Sequence, residues 1–161
     1  MEYDLDNVRD VRRVLWRWGR IDRRIDELME QMKIAVDRVN DLYQIGGSRP
    51  MDGQPHGTVT GDPVFRAVER IQRMRELFAQ EIETCEAQIK EAQEFKAAVN
   101  DALGQLTPVQ RDVIRLRYQG GHDWVYVGFK MYMSEKTARR YDVQACETLA
   151  NLIELRKDDR F

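Results

Sequence analysis

From Val8 to Leu42 the apolar residues Val8, Val11, Leu15, Trp18, Ile21, Ile25, Leu28, Met32, Ala35, Val39 and Leu42 follow one another at steps of three and four. That spacing keeps a single stripe along one side of an α-helix and approaches the 3.5-residue repeat of helices that wrap around each other. At about 1.5 Å per residue the helix would reach roughly 50 Å. One slip, between Trp18 and Ile21, interrupts the alternation, and Gly19 falls at it. A second stripe, Val64, Val68, Ile71, Met74, Phe78, Ile82, Cys85, Ile89, Ala92, Phe95, Val99 and Leu103, starts after Asp62-Pro63, a capping residue and a first-turn proline. Neither helix can bury its stripe alone. The pair is expected to form a long antiparallel hairpin of coiled-coil type, and its thin core points to a homodimer through these N-terminal helices.

Between the stripes, residues 44–61 hold five glycines and two prolines with no apolar period. We read them as a flexible loop inside one domain, residues 1–104, and not as a boundary. No lysine follows its glycines as a phosphate loop would require.

The remaining residues, 105–161, carry a dense series of helix start and stop signals. Thr107, Pro108 and Gln110 make a capping-box start, and Val109, Val113 and Leu116 give that helix an apolar face. Gly120-Gly121 ends it, and Asp123 caps a short helix with Trp124, Val127 and Met131 on its inner side. Tyr132-Met133 makes a turn. Ser134 then caps a longer helix whose apolar positions are Ala138, Tyr141, Ala145, Leu149 and Leu152. Gly128 inside the short helix should cost about 1 kcal/mol relative to alanine, which predicts a close crossing by the next helix. Three helices so arranged form a helix-turn-helix, and the first turn of the last one is the part that enters a major groove.

Leu106, Val113, Leu116, Tyr118, Val127, Gly128, Met131, Ser134, Thr137, Ala145 and Leu149 match a pattern over the last third of the chain. In that pattern the run resembles region four of the bacterial housekeeping sigma factors. The order of parts, hairpin, glycine-rich loop and then this domain, resembles phage and prophage transcriptional regulators of the ArpU and RinA type. The resemblance implies an all-α fold, duplex DNA as a partner and a contact with RNA polymerase through the surface from Val113 to Tyr118. Sigma factors usually carry alanine where this chain has Gly128, and Tyr132 and Met133 occupy its turn. Promoter preference therefore does not carry over, and the upstream sigma regions are missing.

Net charge is −2, an unpromising sum for a nucleic-acid binder, but the distribution is uneven. From Leu106 to Tyr141 there are seven basic and three acidic residues. Lys136, Thr137, Arg139 and Arg140 lie in the first turns of the last helix, away from its apolar side, with Ser134 and Glu135 at its start and Lys130 just before the turn. These seven are the expected DNA-binding residues, with Arg111 and Arg115 as phosphate contacts. A second basic stretch, Arg9 to Arg24, carries seven arginines against Asp10 and Asp22, beside Trp16 and Trp18. It reads either as a phosphate-binding helix or as the solvated side of the hairpin.

Cys85 and Cys146 have no pairing pattern, and His56 and His122 lie far apart without a carboxylate pair or metal motif. We therefore expect no enzyme, metal or cofactor. No run of about twenty apolar residues appears, so no membrane segment is expected and the cytoplasm of a bacterial host is the expected location. Two other functions fit the same layout. One is a small-terminase-like packaging or assembly component gripping DNA with little sequence preference. The other is a coiled adaptor binding only protein.

Overall fold

A computed structural model describes residues 5–45 and 63–152, and all regular structure among them is helical. Six α-helices follow in order: α1 (Leu5–Gly19), α2 (Ile21–Ile45), α3 (Pro63–Gly104), α4 (Pro108–Ile114), α5 (Trp124–Lys130) and α6 (Glu135–Leu152). A π turn, Arg115–Gln119, continues α4. Apart from Gln44 and Ile45, the Gly/Pro-rich loop lies outside the described residues, as do the Asp62 cap and residues 153–161. Among the described residues no helix is long and apolar enough to cross a membrane.

The helix starts follow the side chains that mark them. Thr107 accepts from the Gln110 amide at 3.4 Å while the Gln110 side chain accepts from the Thr107 amide at 3.1 Å, and Pro108 occupies the first turn. Asp123 accepts from the Tyr126 amide at 2.7 Å, and Ser134 from the Thr137 amide at 3.1 Å. Each bond satisfies an amide that the first turn of a helix leaves without a partner. Gly121 takes φ +68° after the π turn, a left-handed conformation that favours glycine.

The chain divides into two compact units, residues 1–25 with 91–161, and residues 26–90. Helices α2 and α3 contribute to both. In the second unit Arg75 donates to the Leu42 carbonyl at 3.0 Å and stacks on Tyr43, while Arg38 lies over Phe78. Rising numbers on α2 thus meet falling numbers on α3, so the two segments run antiparallel there. Leu28, Ala35 and Leu42 are buried against it, with Cys85 and Ile89. The stripe is incomplete at the start of α3, however, where Val68 and Met74 are exposed along with Phe65 and Leu77.

In the first unit α6 packs against α1, α4 and α5, and α1 also packs on the π turn. Val8, Val11 and Leu15 of α1 are buried, as are Val99, Leu103 and Leu106, Val113 and Ile114, and Ala138, Ala145 and Leu149. Trp18 donates to Asn100 at 3.1 Å, and Lys96 pairs with Asp22. The long N-terminal helix expected from the stripe is interrupted at Arg20, where the sequence slips. Just before the break Gly19 turns its α-hydrogen to the backbone of the π turn: a Cβ there would sit 2.0 Å from the Tyr118 carbonyl oxygen.

Candidate functional site

The turn between α5 and α6 is made by close backbone contact. A Cβ on Gly128 would lie 2.9 Å from the Met133 carbonyl oxygen and 3.2 Å from the Glu135 amide nitrogen, so glycine lets the start of α6 come this near to α5. Tyr132 absorbs the reversal at φ 54°, an uncommon conformation for a residue with a side chain, and its ring is 98% exposed. Beneath the turn Val113, Val127 and Ala138 are fully buried, with Leu116, Trp124, Met131, Met133 and Tyr141 packed around them.

On the outer side the nine residues expected to touch DNA divide by what they already hold. Lys130, Lys136 and Arg140 are exposed and form no ion pair with a described residue; Arg140 only lies over the Tyr141 ring at 6.0 Å. Arg115, on the π turn, is likewise exposed. Glu135 and Arg139 hold each other, with Nε and Nη2 of Arg139 donating to one Glu135 oxygen at 2.9 and 2.5 Å. Ser134 caps the helix and its hydroxyl lies 2.8 Å from that of Thr137. Arg111 has structural work: its guanidinium donates to the carbonyls of Leu103, Gly104 and Leu106, capping the end of α3. It is therefore committed away from phosphate.

The surface from Val113 to Tyr118 is exposed at Arg115 and half-buried at Leu116 and Arg117. Its apolar residues Val113, Ile114 and Tyr118 are 0%, 0% and 3% exposed, with Val113 packed against Val127 and Ala138 and α1 lying on the π turn.

Behind the outer face, α6 is fastened by a buried charge that the apolar pattern did not reveal. Asp142, fully buried, accepts from Nε and Nη2 of Arg12 at 3.1 and 2.8 Å and from the Tyr118 hydroxyl at 2.9 Å, with the Cys146 thiol 3.9 Å away. Three separate segments, α1, the π turn and α6, meet at this carboxylate. Burial works against the Arg12 guanidinium, but the charge and hydrogen bonds of Asp142 outweigh it and raise its pKa. Burial and then the Asp142 charge push the Tyr118 hydroxyl well up, and the same two causes push the Cys146 thiol up to about 12. Both are acids that the fold keeps neutral. Their share of stability is complete below the ordinary thiol value of 9.0 and is lost as pH rises towards the folded values. The melting temperature is expected to fall between about pH 9 and 11, and to fall less steeply in Cys146→Ala; equal slopes in the two proteins would contradict this account.

Sequence reading missed Asp142 and Cys146 because a lone acid among α6's apolar positions looks solvated until its cation, 130 residues away, is known. His122 is a turn residue, its ring 4.1 Å from that of Tyr126. Among the described residues no three His, Cys, Asp or Glu side chains gather as metal ligands would. No protein-family model matches the chain, and no curated protein and no solved structure matches it either.

Proposed function

We propose that the first unit is a helix-turn-helix of the sigma-region-four kind and that the protein is a sequence-specific, DNA-binding transcriptional regulator, of phage or prophage type. The observation that carries this reading is the outer face at the start of α6. Lys136 and Arg140 stand one turn apart, both exposed, on the first turns of a helix that begins at a tight glycine contact and a serine cap, and Lys130 at the end of α5 is exposed as well. None of the three is paired with a described acid, whereas Arg12, Arg13, Lys96 and Arg139 of the same unit are. Basic side chains left unpaired on the exposed first turns of such a helix suit base edges and phosphates of a major groove. Arg139, held by Glu135, orients its neighbours more than it reads.

The hairpin then serves as the means of pairing two copies. Met29, Val36 and Tyr43 recur every seven residues beside the buried Leu28, Ala35 and Leu42, and all three are exposed. A stripe widened in this way fits a bundle of more than two helices, as two copies of a coiled hairpin would make. A homodimer presents two reading units to one duplex, and light scattering of the full chain separates that from the many-copy ring of a packaging component.

The test of the DNA reading is affinity for a selected duplex measured by fluorescence anisotropy. The Lys136→Ala, Arg140→Ala double variant is expected to lose tenfold or more, since each good base contact contributes about 1–3 kcal/mol. Unchanged affinity with helicity retained would overturn the assignment.

A further inference from the structure

A second line of positive charge runs along α1. Arg9, Arg13, Trp16 and Arg20 are separated by four, three and four residues, so they fall on one side of the helix. Arg9 and Arg20 are exposed and form no ion pair with another described side chain, and Arg13 meets Asp10 at 3.3 Å where both are exposed. A pair of that kind is weak in water and yields readily to a stronger anion.

This line is joined to the start of α6 by stacked planar groups. Arg20 lies over the Trp16 ring at 5.7 Å. Arg117 lies over both indoles, 5.1 Å from Trp16 and 5.0 Å from Trp124. Arg139 lies over Trp124 at 5.7 Å, one residue from Arg140. Cation and ring therefore alternate from α1, across the π turn, to the helix that carries Lys136 and Arg140. Stacking occupies the flat side of a guanidinium and leaves its N–H edge for hydrogen bonds. Arg117 gives its edge to the His122 carbonyl at 2.6 Å and Arg139 gives its edge to Glu135. Arg20, at the far end, has its edge unengaged by any described side chain.

We propose that duplex DNA seated on the α6 face continues along this line onto α1, where Arg9, Arg13 and Arg20 hold backbone phosphates. The proposal rests on the DNA-binding reading of α6 and adds a second contact area to it. A polyanion suits the surface better than a protein partner, because its only large apolar member, Trp16, is half-buried and already stacked. These arginines position the duplex without reading it. The ladder holds Arg20 and the reading helix in one frame, so a phosphate on α1 fixes the angle at which α6 enters the groove.

The experiment compares the full-length protein with an Arg9→Gln, Arg13→Gln, Arg20→Gln variant, measuring affinity for one selected duplex across a fourfold rise in salt and repeating the selection of preferred sequence. Each lost phosphate contact lowers the log–log salt slope by about 0.9, so the wild type should lose about 40-fold more affinity than the variant over that rise. Both proteins should select the same sequence, and circular dichroism should be unchanged. Equal slopes and equal affinities overturn the proposal while leaving the α6 reading intact. A changed preferred sequence overturns the positioning role. A wild-type protein that binds no duplex even at low salt overturns both.

Discussion

Arg12→Ala is expected to lower stability by about 3–5 kcal/mol in chemical denaturation, more than Asp142→Asn. The asymmetry follows from burial: the Asp142 side chain is 0% exposed and that of Arg12 is 43% exposed. Removing the arginine leaves a carboxylate sealed in the core with one hydroxyl and a distant thiol as partners. Removing the charge of Asp142 instead leaves Arg12 able to turn towards water and preserves an acceptor for Tyr118, at a cost of about 1–3 kcal/mol. Arg12→Ala combined with Asp142→Ala should cost less than the two single changes together, since the second change removes the stranded charge. Arg12→Ala within about 1 kcal/mol of wild type, or Asp142→Asn the worse of the two, would show that the carboxylate does not fasten α1 to α6.

Gly19→Ala should be nearly as damaging, although alanine is the better helix former by about 1 kcal/mol. The added methyl carbon would meet the Tyr118 carbonyl oxygen at 2.0 Å and its carbon at 2.6 Å, both backbone atoms of the π turn that no rotamer change can move. Helix α1 must then shift away from the turn and from α6. A loss of about 3 kcal/mol is expected, the upper part of the range for overpacking. Trp16 fluorescence offers a second readout, because its ring contacts Tyr118 edge-on with centroids 5.1 Å apart. A gain in stability from Gly19→Ala would mean that α1 does not lie on the π turn.

These two positions also mark where the sequence was legible and where it was not. The caps at Thr107, Asp123 and Ser134 were legible because a capping bond spans three residues, and so was the need for glycine at 128. The stripe from Val8 to Leu42 was legible because periodicity is a local property, but it predicts one continuous helix, and the break between α1 and α2 at the slip was not foreseen. What local pattern does not carry is which helix covers which. Nothing near Asp142 announces Arg12, nothing near Val113 announces Val127 and Ala138 as its cover, and nothing near Tyr118 announces that α1 will lie on the π turn. For the same reason the inner side of α6 was read as including Tyr141 and Leu152. Tyr141 does pack against the core, but with α1 added as a second covering helix the inner side widens to include Asp142 and Cys146, and Leu152 is exposed. Among the expected contact residues, Lys130, Lys136 and Arg140 stand open, while the engagements of Arg111 and Arg139 are tertiary and local hydrogen bonds that charge patterning leaves unresolved.

The most direct test of the central claim is selection from a random duplex pool near physiological salt, sequencing the DNA retained by the wild type and by the Lys136→Ala, Arg140→Ala double variant. A sequence motif recovered with the wild type and lost with the double variant is the expected result. DNA retained without a motif, equally by both proteins, would contradict a sequence-reading α6 and leave the arginines of α1 as the grip on DNA.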